Sequence, residues 1–136
     1  MLSMKKAILL LCFTVLASSC HYNKDQLVIR NNSDEQVSYE TIINGKEGYY
    51  RVSAGGTIES HDQDSPLRRS PIIGPLEENA AGNILYLVFY KPTESAIIDD
   101  IKKNNIDNMM KSDKVTINQY TLSELNNIKW IVQYPK

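Results

Sequence analysis

Val37-Ser38-Tyr39-Glu40-Thr41-Ile42-Ile43-Asn44-Gly45, running on through Lys46-Glu47-Gly48-Tyr49-Tyr50-Arg51-Val52-Ser53, decides the fold class. Val37, Tyr39, Thr41 and Ile43 alternate with Ser38, Glu40 and Ile42, and a period of two puts alternate side chains on opposite faces of a half-buried strand. Asn44-Gly45 is a tight-turn signal that predicts a return strand over Tyr49 to Ser53. Gly55-Gly56 reads as a further turn leading into Thr57-Ile58-Glu59. Closely spaced short strands of this kind pair antiparallel.

The flanks agree. Leu27 and Ile29 set against Val28 open an earlier strand, which Asn31-Asn32-Ser33-Asp34 ends with turn chemistry. Ile84 to Tyr90 is apolar throughout and reads as a central strand covered on both faces. Ile97, Ile98 and Ile101 fall on one face of a short helix over Glu94 to Lys103 that Pro92-Thr93 would start, and so short a helix depends on packing. Lys114 to Tyr120 returns to strand. Thr121-Leu122-Ser123-Glu124 then has the spacing of a capping box, and one or two helical turns should follow until Asn126-Asn127. Ile128, Trp130, Val132 and Tyr134 point one way along a final strand that Pro135 ends. The expectation is a mainly β chain: a single antiparallel β-sandwich-like domain of about six to eight short strands with one short helix. Its expected core is Leu27, Ile29, Tyr39, Leu85, Leu87, Phe89, Ile117, Leu125, Trp130 and Val132.

The first residues carry an address. Lys5-Lys6 precede an apolar run from Ala7 to Leu16, and Ala17-Ser18-Ser19 leads into Cys20. A basic start, a short apolar stretch and small residues make a bacterial secretory signal. The run is too short to span a bilayer, which takes roughly 20 apolar residues. With a cysteine directly after the small residues, the segment resembles a lipoprotein signal, although Ala17 stands where that class usually has Leu. The expected division is a signal peptide over 1–19, a lipidated Cys20 with its tether over 20–25, and a β-rich domain over 26–136. Acylation of Cys20 would hold the chain to the membrane, since stable anchoring needs about two chains. The tether reaches at most ~18 Å when fully extended.

This address fixes the cysteine chemistry. The chain has 2 cysteines; Cys12 leaves with the signal and Cys20 is consumed by lipid, so disulfides, zinc thiolates and cysteine nucleophiles are excluded from the mature protein. The formal net charge is −1, and losing Lys5 and Lys6 makes it more acidic. There is no long basic run to suggest a nucleic-acid partner.

The ending Tyr120-Thr121-Leu122-Ser123-Glu124-Leu125-Asn126-Asn127-Ile128-Lys129-Trp130-Ile131-Val132-Gln133-Tyr134-Pro135, with the early Asn31-Asn32-Ser33-Asp34 turn, resembles a set of small uncharacterised lipoproteins of the Bacteroidetes. The likeness covers the two ends of the chain. It implies a β-rich fold and a lipid-anchored place in the cell envelope, at the outer membrane, and it implies no catalytic residue. Trp130 reads as a core anchor, because large aromatics dominate core energetics.

Ser60 to Asn83 is the odd stretch. It holds Pro66, Pro71, Pro75, Gly74 and Gly82, shows no sustained period, and is longer than structureless loops in compact domains usually are. A short irregular strand over Ser70 to Ile73 fits within it. His61 is the only histidine beyond the tether, so a triad would depend on it, with Asp62 or Asp64 as its carboxylate. His61-Asp62-Gln63-Asp64 lacks the glycine and distant glutamate of a calcium loop, and reads as a solvated acidic turn. Neither a metal nor another cofactor is called for. Two functions survive: a noncatalytic binding or accessory module that meets an envelope protein or glycan through Arg68, Arg69, Tyr49 and Tyr50, and a small hydrolase centred on His61.

Overall fold

The computed structural model describes residues 25–78 and 83–136. The signal segment, Cys20 and most of the tether therefore lie outside the described residues. The chain is mainly β, built as two sheets. Seven strands occur among the described residues: β1 (Val28–Asn31), β2 (Val37–Gly45), β3 (Gly48–Ile58), β4 (Gln63–Asp64), β5 (Leu85–Tyr90), β6 (Val115–Tyr120) and β7 (Ile131–Tyr134). Four short helices accompany them: α1 (Ser70–Glu78), α2 (Ser95–Lys102), α3 (Ile106–Met110) and α4 (Leu122–Asn127). One sheet has the order β3-β2-β5-β6, the other β4-β1-β7.

β5 shows how the layers form. Leu85, Leu87 and Phe89 face one way into a cluster with Leu27 just before β1, Ile29 of β1, Val132 of β7, Ile72 and Leu76 of α1, Leu125 of α4, and Trp130. Tyr86 and Val88 face the other way, onto Ile97 of α2 and Ile106 and Met109 of α3. The apolar run of β5 is thus the signature of a strand covered on both faces. The expected core is buried in the first cluster except for Ile117, which is half-buried against the helical side.

Several expectations change. The sheets are not wholly antiparallel, because β1 and β7 pair in parallel, Val28 opposite Ile131 and Asn31 opposite Tyr134. Sequence periodicity reports which face a strand buries, not which distant strand lies beside it. Gly55-Gly56 is no turn. It lies inside β3, where two register shifts against β2 mark bulges, and a Cβ on Gly55 would collide with the Tyr39 carbonyl and the Glu40 carboxylate. The hairpin turn is centred on Lys46-Glu47, with Gly45 opposite Gly48 and Gly48 at φ +108°. The expected strand over Ser70 to Ile73 is the first turn of α1, whose Ile72 and Leu76 are buried one helical turn apart. Ile128 is not in the last strand but caps α4, exposed, and Lys129 and Trp130 turn the corner at φ 55° and 61°. The capping box at Thr121 and Glu124 is present with both reciprocal bonds.

Candidate functional site

The β2–β3 hairpin builds a cleft of about 550 Å³ at its tip, lined by Gly45, Lys46, Glu47, Tyr49, Tyr50 and Pro75, together with Gly48 and Asn83. Tyr49 and Tyr50 are neighbours on a strand, so they leave on opposite faces. Tyr49 turns toward the helical layer, its ring edge-on to Tyr86 with centroids 5.5 Å apart at 86°. Burial, and then Tyr49 itself, raises the Tyr86 hydroxyl pKa. Tyr50 lies over the backbone of Gly45, where a Cβ would come within 2.9 Å of its Cε1. Tyr50 is 40% exposed, and Tyr50 and Ile128 are the exposed large hydrophobic residues among the described ones. One tyrosine is therefore fixed by packing, while the other offers its ring to solvent at the mouth of the cleft.

The stem beneath the tip contains a buried carboxylate. Glu40, on β2, is 3% exposed. Arg51, on β3, donates to its Oε2 from Nη2 at 2.8 Å and from Nε at 2.9 Å. Glu40 Oε1 faces Gly55, whose N–H also bonds the carboxylate. Burial pushes the Glu40 carboxyl above its usual range, while Arg51 and the Gly55 N–H pull against it. Beside it, Ser38 bonds the Thr57 hydroxyl at 2.8 Å and the hydroxyl of Tyr90, whose own pKa is raised by burial. The sequence showed Glu40 only as the polar partner in an alternating strand. A clue lay in the Gly55-Gly56 pair, because glycine inside a strand marks close backbone approach.

The hydrolase candidates are dispersed. The His61 ring bonds Asp34 at 2.7 Å, through Nε2, and not Asp62 or Asp64. The side chains are 62% and 97% exposed, so this is a solvated pair. Asp62 accepts from the Gln63 N–H. Asp64 accepts from the Ser65 N–H and from the Tyr39 hydroxyl, the latter at 2.6 Å. Burial first, and Asp64 next, raise the Tyr39 pKa. Among the described residues no group of three histidine, cysteine, aspartate or glutamate side chains could hold a metal ion.

Arg68 and Arg69 fall at a different place from the tyrosines. Arg68 is exposed and its backbone bridges Gln26. Arg69 is turned inward: its guanidinium lies 5.2 Å from the Trp130 ring centroid and donates to the carbonyls of Gln26 at 3.2 Å and Lys129 at 3.3 Å. The lipidation site, Cys20, lies outside the described residues. No described helix is long and apolar enough to cross a membrane. Compared with known proteins, the chain matches no family model, no curated protein and no solved structure.

Proposed function

We propose that this chain is a lipid-anchored, noncatalytic binding or accessory module of the cell envelope, tethered through Cys20 and engaging an envelope protein or glycan at the hairpin-tip cleft. One observation carries the binding site: Tyr50, backed by Gly45 and 40% exposed, stands at the mouth of a cleft of about 550 Å³. An aromatic ring held on one side and open on the other supplies contact area at low entropic cost, and tyrosine is enriched at the energetic centres of interfaces. Lys46 and Glu47 add a charge of each sign at the rim. The anchor rests on the order of basic start, short apolar run, small residues and cysteine at the head of the chain. The hydrolase reading has less support, because His61 is paired with a solvated carboxylate and no hydroxyl is bonded to its ring among the described residues.

Two experiments test the reading. A photoreactive phenylalanine at position 50, introduced in intact cells, should crosslink a discrete envelope component, whereas the same residue at Ser123 on α4 should not. Equal products at both sites would refute the cleft. Cys20→Ala should leave the chain unprocessed or release it from the membrane fraction, and a normally cleaved Cys20→Ala protein that stays membrane-bound would refute the anchor.

A further inference from the structure

The lining of the hairpin-tip cleft narrows the chemistry of what it can hold. Among the described residues no Leu, Ile, Val, Met or Phe borders it. A protein partner would find no aliphatic pocket there for the apolar anchors on which the energetic centres of interfaces are built. The apolar surface comes instead from Tyr49, Tyr50 and Pro75. Tyr49 is held edge-on to Tyr86, and the Asn83 amide donates to the Pro75 carbonyl at 2.6 Å. Those two walls are braced from within the fold. Tyr50, with its ring against Gly45, is the exposed aromatic surface offered to a ligand. The charged part of the lining is balanced. Lys46 and Glu47 are exposed, and neither forms an ion pair with a described residue. One ammonium beside one carboxylate gives no net field to draw in a phosphate or a charged peptide, but it sets hydrogen-bond donors next to acceptors.

We propose that the cleft takes an uncharged pyranose unit of a glycan chain, its C–H face against the Tyr50 ring and its hydroxyls bonded to Lys46 and Glu47. A pyranose carries the matching division of surface. The C–H groups on its face are slightly positive and meet the negative face of an aromatic ring, while each hydroxyl at its rim both donates and accepts. Glu47 accepts from such a hydroxyl and Lys46 donates to one. Resting on the hairpin tip as the binding site, this assignment selects the glycan over the protein as the partner.

The test presents maltotetraose, cellotetraose, mannotetraose and chitotetraose in turn to the full chain, purified in a detergent that carries no sugar. With a sugar that binds, irradiating the aromatic protons of the protein should transfer saturation to the C–H protons of that sugar. Tyr50→Phe should keep the transfer, and Tyr50→Ala should weaken affinity about tenfold. Raising salt from about 0.05 to about 0.5 M should leave the affinity unchanged, since no net charge is neutralised on binding. Binding of none of the four sugars, or equal binding by a folded Tyr50→Ala protein, would overturn the proposal. The crosslink formed from position 50 in intact cells separates that failure from failure of the cleft itself. A product that resists protease and is shortened by periodate supports the sugar. A product that protease reduces to a peptide adduct overturns the sugar and leaves the cleft standing, whereas equal products at positions 50 and 123 remove both.

Discussion

Two aromatic side chains at two sharp turns make opposite use of the same chemistry. Trp130, at the α4–β7 corner, is 1% exposed. Its Nε1 donates to Asn126 at 2.9 Å, Arg69 covers its ring, and its carbonyl receives the Val28 N–H. Tyr50, at the β2–β3 tip, is 40% exposed, with its ring against Gly45. The Trp130 corner ties strand β1 near one end of the chain to strand β7 near the other, so it must be closed. The hairpin joins strands next to each other in sequence and is held by its stem, so its tip is free to be used. Stability and binding are thereby assigned to different places, and substitutions should separate them.

Trp130→Ala should be the most damaging change, costing about 3 to 5 kcal/mol, as truncation of a large buried aromatic does. A urea midpoint close to the parent's would show that the corner does not close the core. Next is the stem. Arg51→Ala leaves the Glu40 carboxylate buried without its cation and should cost about 2 to 3 kcal/mol at neutral pH, somewhat below the usual cost of breaking a buried pair because Arg51 is partly solvated.

The stem also predicts a pH dependence of definite sign. Because burial raises the Glu40 pKa in the folded state, folding favours its protonated form. Its contribution is complete below the unfolded value, about 4.3, and is lost as pH rises through the higher folded value. Denaturation of the parent and of Glu40→Gln across this range should therefore show the parent losing stability relative to the variant as pH rises. A difference that grows in the parent's favour would mean that Arg51 outweighs burial.

Arg69→Ala comes third. It removes the cover of Trp130 and two bonds to carbonyls, for about 1 to 2 kcal/mol, and a thermal melt would check it. Arg68→Ala, one residue away but exposed, should stay within about 0.5 kcal/mol. Equal effects for the two arginines would contradict the placement of Arg69 against Trp130.

The parts legible in the sequence are those whose signal is local. The alternation of β2, the apolar run of β5 and the capping box at Thr121 each declare themselves within a few residues, and Tyr49 and Tyr50 stood out beside a turn. Helix α1 was hidden because Pro71, Gly74 and Pro75 are helix breakers by propensity, and only Ile72 and Leu76 carry its buried face. Pro71 sits in its first turn, where a missing N–H costs nothing. Gly55 and Gly56 looked like a turn because glycine serves turns and close approaches alike. Here it serves close approach: a Cβ on Gly56 would come within 3.0 Å of the Tyr39 hydroxyl and 3.1 Å of the Asp64 carboxylate. The Glu40–Arg51 pair was missed for the same reason, since a bulge decides which residues meet across β2 and β3. The parallel pairing of β1 with β7 joins the far ends of the chain and leaves no local trace.

Tyr50→Ala is the smallest change in stability and the sharpest test of the functional account. Purified parent and variant should melt within about 0.5 kcal/mol of each other, as expected at an exposed site. In intact cells, a photoreactive group placed at Lys46, on the same cleft, should crosslink the envelope component in the parent and fail to do so in Tyr50→Ala. Undiminished crosslinking by a folded Tyr50→Ala protein would contradict the assignment of binding to the hairpin tip.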